Sequence, residues 1–291
     1  RSTLGASREE CEHGAILGAM STRWAAVEEI RTRITPDPPP WRGESVLRQR
    51  WVDLASFHWR YPVETVAALL PDGLEVDVHD GSGWVGLIPF VMRDVRVGPG
   101  PVVPYLGRFV EINVRTYVRD AAGHRGVWFW SLDVPRSPIV AVARSCFSLP
   151  YCWAAASHTS IDTPQGEQHR YRARRRWPRP SSGPASQCDI SYTVGERVPE
   201  DEVGELDHFV SARWSLFTTR RGRLVRGDVD HERWPVHRIV EHRIDQTLVQ
   251  AAGLPAPEGP VHALASPGVG VQVAWLRRVP AAESDGSLNA R

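Results

Sequence analysis

The sequence predicts a mainly β (α+β) protein with a few helices, for which a single all-β barrel or cone fits the length. Three observations predict this. Stretches with strand-like alternation recur from about residue 48 to 279, and helices do not separate them regularly, which argues against a doubly wound parallel sheet. Turn signals such as Asp80-Gly81 join neighbouring stretches into hairpins. A length of 291 residues without an internal repeat suits one large β domain.

Three segments follow from the pattern: an N-terminal appendage over 1–45, the β domain over 46–279 and a frayed tail over 280–291. A helix is expected over 8–33, stopped by Pro36, Pro38, Pro39 and Pro40. In the β domain, 50–60 is an aromatic-rich strand. Pro62 and Gly73 bracket a helix over 62–70. Strands over 74–79 and 84–97 form one hairpin, and strands over 109–119 and 126–134 form another. A buried helix is expected over 137–147. Further strands are expected over 151–157, 169–177, 188–194, 224–231, 236–243 and 269–276, with helices over 203–214 and 245–252. The Pro- and Ser-rich stretch 178–186 reads as a surface loop.

Composition excludes several function classes. The net charge of +1 removes the electrostatic case for nucleic acid or membrane binding. No apolar run approaches the ~18 residues needed to span a bilayer. The chain contains no lysine, so all 35 basic residues are arginine. Schiff-base, P-loop-lysine and pyridoxal chemistry are therefore closed to it. Cys11, Cys146, Cys152 and Cys188 form no Cys-x-x-Cys pair, so neither a zinc site nor a disulfide scaffold is indicated. Gly14 to Met20 is too short and too acidic in its flank for a secretory signal. A cytoplasmic protein without metal or cofactor is expected, and a homo-oligomer is compatible with the sequence.

His231, His237 and His242 match no ligand spacing, and surface or hydrogen-bonded histidines are the simpler reading. Arg170 to Arg179, with Tyr171 and Trp177 interleaved, reads either as a nucleic-acid patch or as a solvated edge strand. Neutral total charge favours the edge strand. Phe109 to Tyr117 is more informative. Period two puts Glu111, Asn113, Arg115 and Tyr117 on one face. An acid, an amide, a guanidinium and a phenol in a row suit a cavity for a carboxylate or carbonyl ligand, against a plain solvent-exposed face. Val127 to Asp133 is apolar on both faces and belongs at the centre of the sheet, which encloses its hairpin partner. Arg144 stands alone among apolar residues of its helix. It reads as an anion clamp or as an ion pair with Glu111 or Asp133.

Several motifs occur in order: Trp51 to Trp59, Leu69-Leu-Pro-Asp-Gly-Leu-Glu-Val-Asp77, Trp84-Val-Gly, Glu111-x-Asn-Val-Arg-Thr-Tyr-Val118, Gly126-Val-Trp-Phe-Trp-Ser-Leu-Asp133 and Leu149-Pro-Tyr151. Over about residues 48–278 they resemble the YqjF-like family of domains of unknown function. That family is similar to the acetoacetate decarboxylase-like superfamily, which implies an antiparallel cone-shaped β-barrel around a cavity. The segment from Ala141 to Cys152 resembles the decarboxylase stretch that ends in two lysines, and those positions here are Tyr151 and Cys152. The resemblance implies a cavity that survives without Schiff-base chemistry. It places Glu111 at the active-site glutamate and Arg50 near the substrate-binding arginine.

The combined expectation is a cavity that binds a small organic acid or carbonyl compound. Glu111, Tyr151 and Arg144 would be catalytic, and Arg115, Asn113, Arg50 and Cys152 would bind substrate. Three readings stand: a Schiff-base-free lyase, hydratase or isomerase; a non-catalytic ligand-binding or sensory protein; and a structural protein with a filled barrel.

Overall fold

The structure, a computed structural model, describes residues 32–41, 44–179 and 185–280. The expected helix over 8–33, most of the appendage, Cys11, the centre of the 178–186 loop and the tail beyond 280 lie outside the described residues.

Among the described residues, thirteen strands form one sheet. They are β1 (Ser45–Tyr61), β2 (Leu74–Val76), β3 (Gly83–Val97), β4 (Phe109–Asp120), β5 (Arg125–Val134), β6 (Tyr151–Thr163), β7 (Gly166–Trp177), β8 (Gln187–Arg197), β9 (Ser215–Arg220), β10 (Arg223–His231), β11 (His237–Gln246), β12 (His262–Ala274) and β13 (Arg277–Arg278). Four helices are short: α1 (Val63–Ala67), α2 (Ser137–Cys146), α3 (Glu205–Ser211) and α4 (Leu248–Ala251). Pro62 caps α1, and Pro138 in the first turn of α2 starts that helix where a missing N–H costs nothing.

Most strands pair antiparallel, but β5 pairs parallel with both β6 and β9. The purely antiparallel expectation is thereby corrected. Helix α2 lies between β5 and β6 and carries the chain back to the same end, which is what a parallel neighbour requires. Strand β9 was not expected, because residues 215–220 follow a segment read as helix.

The pairings close on themselves. Strands β5 and β12 are joined by three runs: β4–β3–β1, β9–β10 and β6–β7–β8–β11. The run β4–β3–β1 is therefore a wall with a chamber on each side. Its two faces feed separate cores. Ile88, Phe90 and Tyr117 belong to the first, with Phe129 and Val271. Leu87, Ile112 and Val114 belong to the second, with Ile190 and Tyr192. Strands buried on both faces read as near-continuous apolar runs, as Val85 to Met92 does.

Two bulges set which residues reach the first chamber. In β1 the register against β3 slips by one between Val52 and Phe57, beside Asp53, whose φ is 55°. Odd residues Gln49 and Trp51 face the first chamber before the slip, and even Leu54 faces it after. In β5 the slip falls at Trp130, so Phe129 and Leu132, three apart, both face it. A bulge switches sides in this way because side chains alternate strictly. Gly268, at φ +118°, lies opposite Val52, and a Cβ there would overlap the Trp51 carbonyl.

The Arg-rich strand β7 is not an edge, since it pairs with β6 and β8. Its exposed Arg170 grips Asp189 with two bonds of 2.7 and 2.6 Å, and Arg172 adds a third of 3.1 Å. The charges therefore lie on the outer face of an interior strand. His231 lines the first chamber, whereas His242 is exposed, with its ring 6.0 Å from that of Phe57.

The carbonyl of Asp53 accepts hydrogen bonds from two buried phenols, Tyr171 at 2.5 Å and Tyr192 at 3.0 Å. These hold the bulge from the second chamber. Either tyrosine alone still satisfies the carbonyl, so Tyr171→Phe or Tyr192→Phe should each cost about 1 kcal/mol in urea denaturation. The double variant orphans a buried acceptor and should cost about 3 kcal/mol, more than the sum. Strict additivity would show that the two bonds do not share this role.

Candidate functional site

The first chamber holds a cavity of about 360 Å³. Trp51, Phe90, Phe129, Leu132 and Trp234 supply much of its wall. Val97 and Val142 line it too and are 59% and 56% exposed, which places them at the mouth. Against this apolar lining stand a few polar side chains: Glu111, Asn113 and Arg115 from β4, Tyr151 from the start of β6, Arg213 from the turn after α3, and His231 from β10.

Glu111 is 2% exposed and accepts a 2.9 Å hydrogen bond from the Tyr151 hydroxyl. Burial pushes the Glu111 carboxyl up to about 7, against the opposing pull of its hydrogen bonds with Tyr151 and Asn113. The nearby Asp133 carboxylate adds to the rise. Burial and the Glu111 charge hold the Tyr151 phenol well above its ordinary value, so it keeps its proton. Asn113 is 3% exposed, and its Oδ1 has no hydrogen-bond partner among the described residues.

A second polar group lies further along β4. The Tyr117 hydroxyl donates to the Val210 carbonyl at 3.0 Å and meets His58 Nε2 at 2.6 Å. With its proton spent on Val210, it accepts from His58. Burial, then the charge of Arg115, hold His58 well below its ordinary value, and it is neutral. Arg115 donates to the Tyr117 hydroxyl at 3.3 Å and to the Val210 carbonyl at 3.2 Å. Arg213 is fully enclosed. Its Nε donates to the Phe209 carbonyl at 2.7 Å and its Nη1 to Asp77 at 2.5 Å. Its guanidinium packs over Tyr117 and Phe209, 4.7 and 4.3 Å from the ring centroids. Burial brings His231 down to about 4, although hydrogen bonds to the Glu232 and Arg213 backbones oppose this.

The structure brings Glu111, Asn113, Arg115 and Tyr151 to one chamber. It does not bring Arg144, Arg50 or Cys152 there. Arg144 is exposed on α2, donates to the Tyr151 carbonyl at 2.8 Å and stacks on Trp177. It pairs with neither expected carboxylate, because Asp133 is held by Arg175 through bonds of 2.8 and 2.7 Å. Arg50 is exposed, since the inward positions before the Asp53 bulge are Gln49 and Trp51. Cys152 follows Tyr151 and so points to the opposite face of the strand. There burial pushes its thiol up to about 11. Arg213 and His231 were not anticipated as site residues. Arg213 was legible as a lone charge between Phe209-Val210 and Trp214 to Phe217, but its segment was read as helix.

The fold is that of acetoacetate decarboxylase-like enzymes. One such enzyme, from Sphingomonas wittichii RW1, superposes with a TM-score of 0.55 at 15% identity, covering 82% of this chain and 94% of its own. The enduracididine biosynthesis enzyme MppR, complexed with pyruvate, gives 0.56 at 14% identity, covering 82% of this chain and 92% of its own. These likenesses show the fold alone. The chain itself belongs to the DUF2071 family, described as an uncharacterized conserved protein (COG2071), which matches residues 48–270. The uncharacterized protein YqjF of Bacillus subtilis (strain 168) is 31% identical over 216 residues, 74% of this chain and 85% of that protein.

The raised Glu111 carboxyl ties stability to pH. The unfolded chain releases this proton near the ordinary carboxylate value of about 4.5, whereas the folded chain holds it to about 7. Stability from this group is thus full below about 4.5 and is lost as pH rises through about 7, by about 3 kcal/mol. Glu111→Gln keeps the shape and removes the titration. Melts at pH 5 and pH 8 should show the variant gaining on the wild type at pH 8. Parallel pH profiles would place the carboxyl in solvent contact instead.

Proposed function

We propose that this protein binds a small organic acid or carbonyl compound in the first chamber and acts on it as a Schiff-base-free lyase, hydratase or isomerase. The observation that carries this is the buried Glu111–Tyr151 pair at 2.9 Å, with the carboxyl held near 7. At neutral pH such a carboxyl both takes and returns a proton, which is what acid–base catalysis requires. In this reading the closed ring of strands serves as the cone-shaped barrel of the fold. The free thiols of Cys146, Cys152 and Cys188 suit a reducing, cytoplasmic setting.

The chemistry follows from the two side chains. The Glu111 carboxylate takes a proton from the carbon beside a ligand carbonyl. The C–H electron pair becomes a C=C bond, and the carbonyl oxygen takes the charge. Once Glu111 carries the proton, the Tyr151 hydroxyl no longer faces a carboxylate and turns its O–H to that oxygen. The enolate then reprotonates for isomerisation, or expels a β-substituent for elimination. No lysine takes part, because the chain has none. The resemblance to an enzyme crystallised with pyruvate supports carbonyl acids as first candidates.

Proton exchange tests this directly. In D₂O, the wild type should exchange the α-protons of pyruvate or a longer 2-oxo acid above the buffer rate, as followed by NMR. The rate should inflect near pH 7. Glu111→Gln should lower it by about a hundredfold or more, and Tyr151→Phe by a smaller factor. Binding without any exchange would leave the non-catalytic, ligand-binding reading in its place.

A further inference from the structure

The chamber is larger and more apolar than a three-carbon acid needs. Its volume is about 360 Å³. The mouth is apolar as well: Val97 and Val142 stand exposed there. A purely polar ligand would gain nothing from such an entrance or from the body behind it.

The polar wall is incomplete in a particular way. Glu111, Asn113 and Arg115 sit at alternate positions of β4, so the stripe runs ~13 Å along one wall. Two of its buried polar atoms lack partners among the described residues: Asn113 Oδ1 and Arg213 Nη2. The first is an acceptor and the second a donor. A buried polar atom left without a partner costs free energy, so a ligand that supplies the partner gains it.

Arg213 is built to hold an anion. Its plane is fixed between two rings, and two of its donating positions are fixed by Phe209 and Asp77. Its Nη2 is buried and has no partner among the described residues. Asp77 does not neutralise this end, because it also faces Arg125 at 2.7 Å and Arg119 at 3.6 Å. Arg115 adds a further positive charge beside the same Tyr117 ring.

We propose that the chamber takes a hydroxylated carboxylic acid with an extended apolar body. Its carboxylate is held by Arg213 and Arg115, its hydroxyl donates to Asn113 Oδ1, and its alkyl or aryl body fills the chamber toward the Val97–Val142 mouth. This rests on the reading above that the chamber binds an organic acid, and it names the class. Arg213 is a ligand-binding residue in this account, and Asn113 selects the hydroxyl.

Isothermal titration of the full chain with four probes tests the proposal: 3-hydroxyoctanoate, octanoate, octan-1-ol and pyruvate. Octanoate should bind at least about tenfold more tightly than octan-1-ol, the value of one charge-assisted contact. 3-Hydroxyoctanoate should bind more tightly still, by about threefold to tenfold. Pyruvate should be weaker than octanoate by about a hundredfold, because it leaves the apolar wall unfilled. Arg213→Met should bring octanoate down to the level of octan-1-ol and leave octan-1-ol unchanged. Asn113→Leu should erase the advantage of the hydroxyl alone.

Equal binding of octanoate and octan-1-ol by the wild type would overturn the carboxylate anchor, and this comparison stands even if Arg213→Met does not fold. Pyruvate as tight as octanoate would overturn the amphipathic class while leaving the organic-acid reading intact. No binding of any eight-carbon probe would also overturn the class, and the proton-exchange assay with short 2-oxo acids then decides the broader reading by itself.

Discussion

Everything at the candidate site depends on a wall of strands that is buried on both faces. Because β5 and β12 are joined by three runs of paired strands, the middle of β4–β3–β1 is enclosed on both faces, and only its ends carry exposed residues such as Arg50 and Arg96. An interior strand with one wet face would let Glu111 titrate as an ordinary carboxylate. Here Ile112 and Val114 seal one face of β4 while Glu111 and Asn113 are enclosed on the other. The free energy that holds two charged or polar residues in an enclosed chamber comes from the apolar surface packed around them. The cost of their desolvation appears as the raised Glu111 carboxyl and the unpartnered Asn113 Oδ1.

The same architecture divides the charged groups into two kinds. Pairs such as Asp133 with Arg175 are complete: both oxygens of the carboxylate meet the guanidinium fork. Such pairs fix geometry and leave nothing to offer a ligand. The groups around Arg213 are incomplete, with several guanidinium groups sharing Asp77 and a donor left over. The contrast between a closed pair and an open one lies within one protein.

The bulges carry a second lesson about the site. A strand with strict alternation would have aimed Arg50 and Val52 together with Leu54. The extra residue at Asp53 splits them, and two tyrosines from the second chamber hold the bulge carbonyl. The lining of one chamber is thus set partly from the other. A change at Tyr171 or Tyr192 can therefore alter which β1 side chains reach the first cavity without touching it.

The sequence by itself determined the mainly β class, the β4–β5 hairpin and the shared face of Glu111, Asn113 and Arg115, because alternation and turn chemistry are local; the hairpin expected between 74–79 and 84–97 does not form, since β2 pairs with β4 instead. It also showed that these 291 residues offer no lysine side chain for a Schiff base. The packed structure decided what depends on residues far apart in the chain. It put Tyr151 on Glu111 from 40 positions away and seated Arg213 against Asp77 from 136 positions away. It left Arg144 outside, although Val140 one turn back on the same face is buried, because the long side chain reaches past that face to the Tyr151 carbonyl and the exposed Trp177 ring. It made β5 a parallel neighbour and turned Arg50 outward at a bulge with no mark in the local pattern. Registers, bulges and ring closure are set by the energy of the whole sheet, and no window of sequence contains that sum.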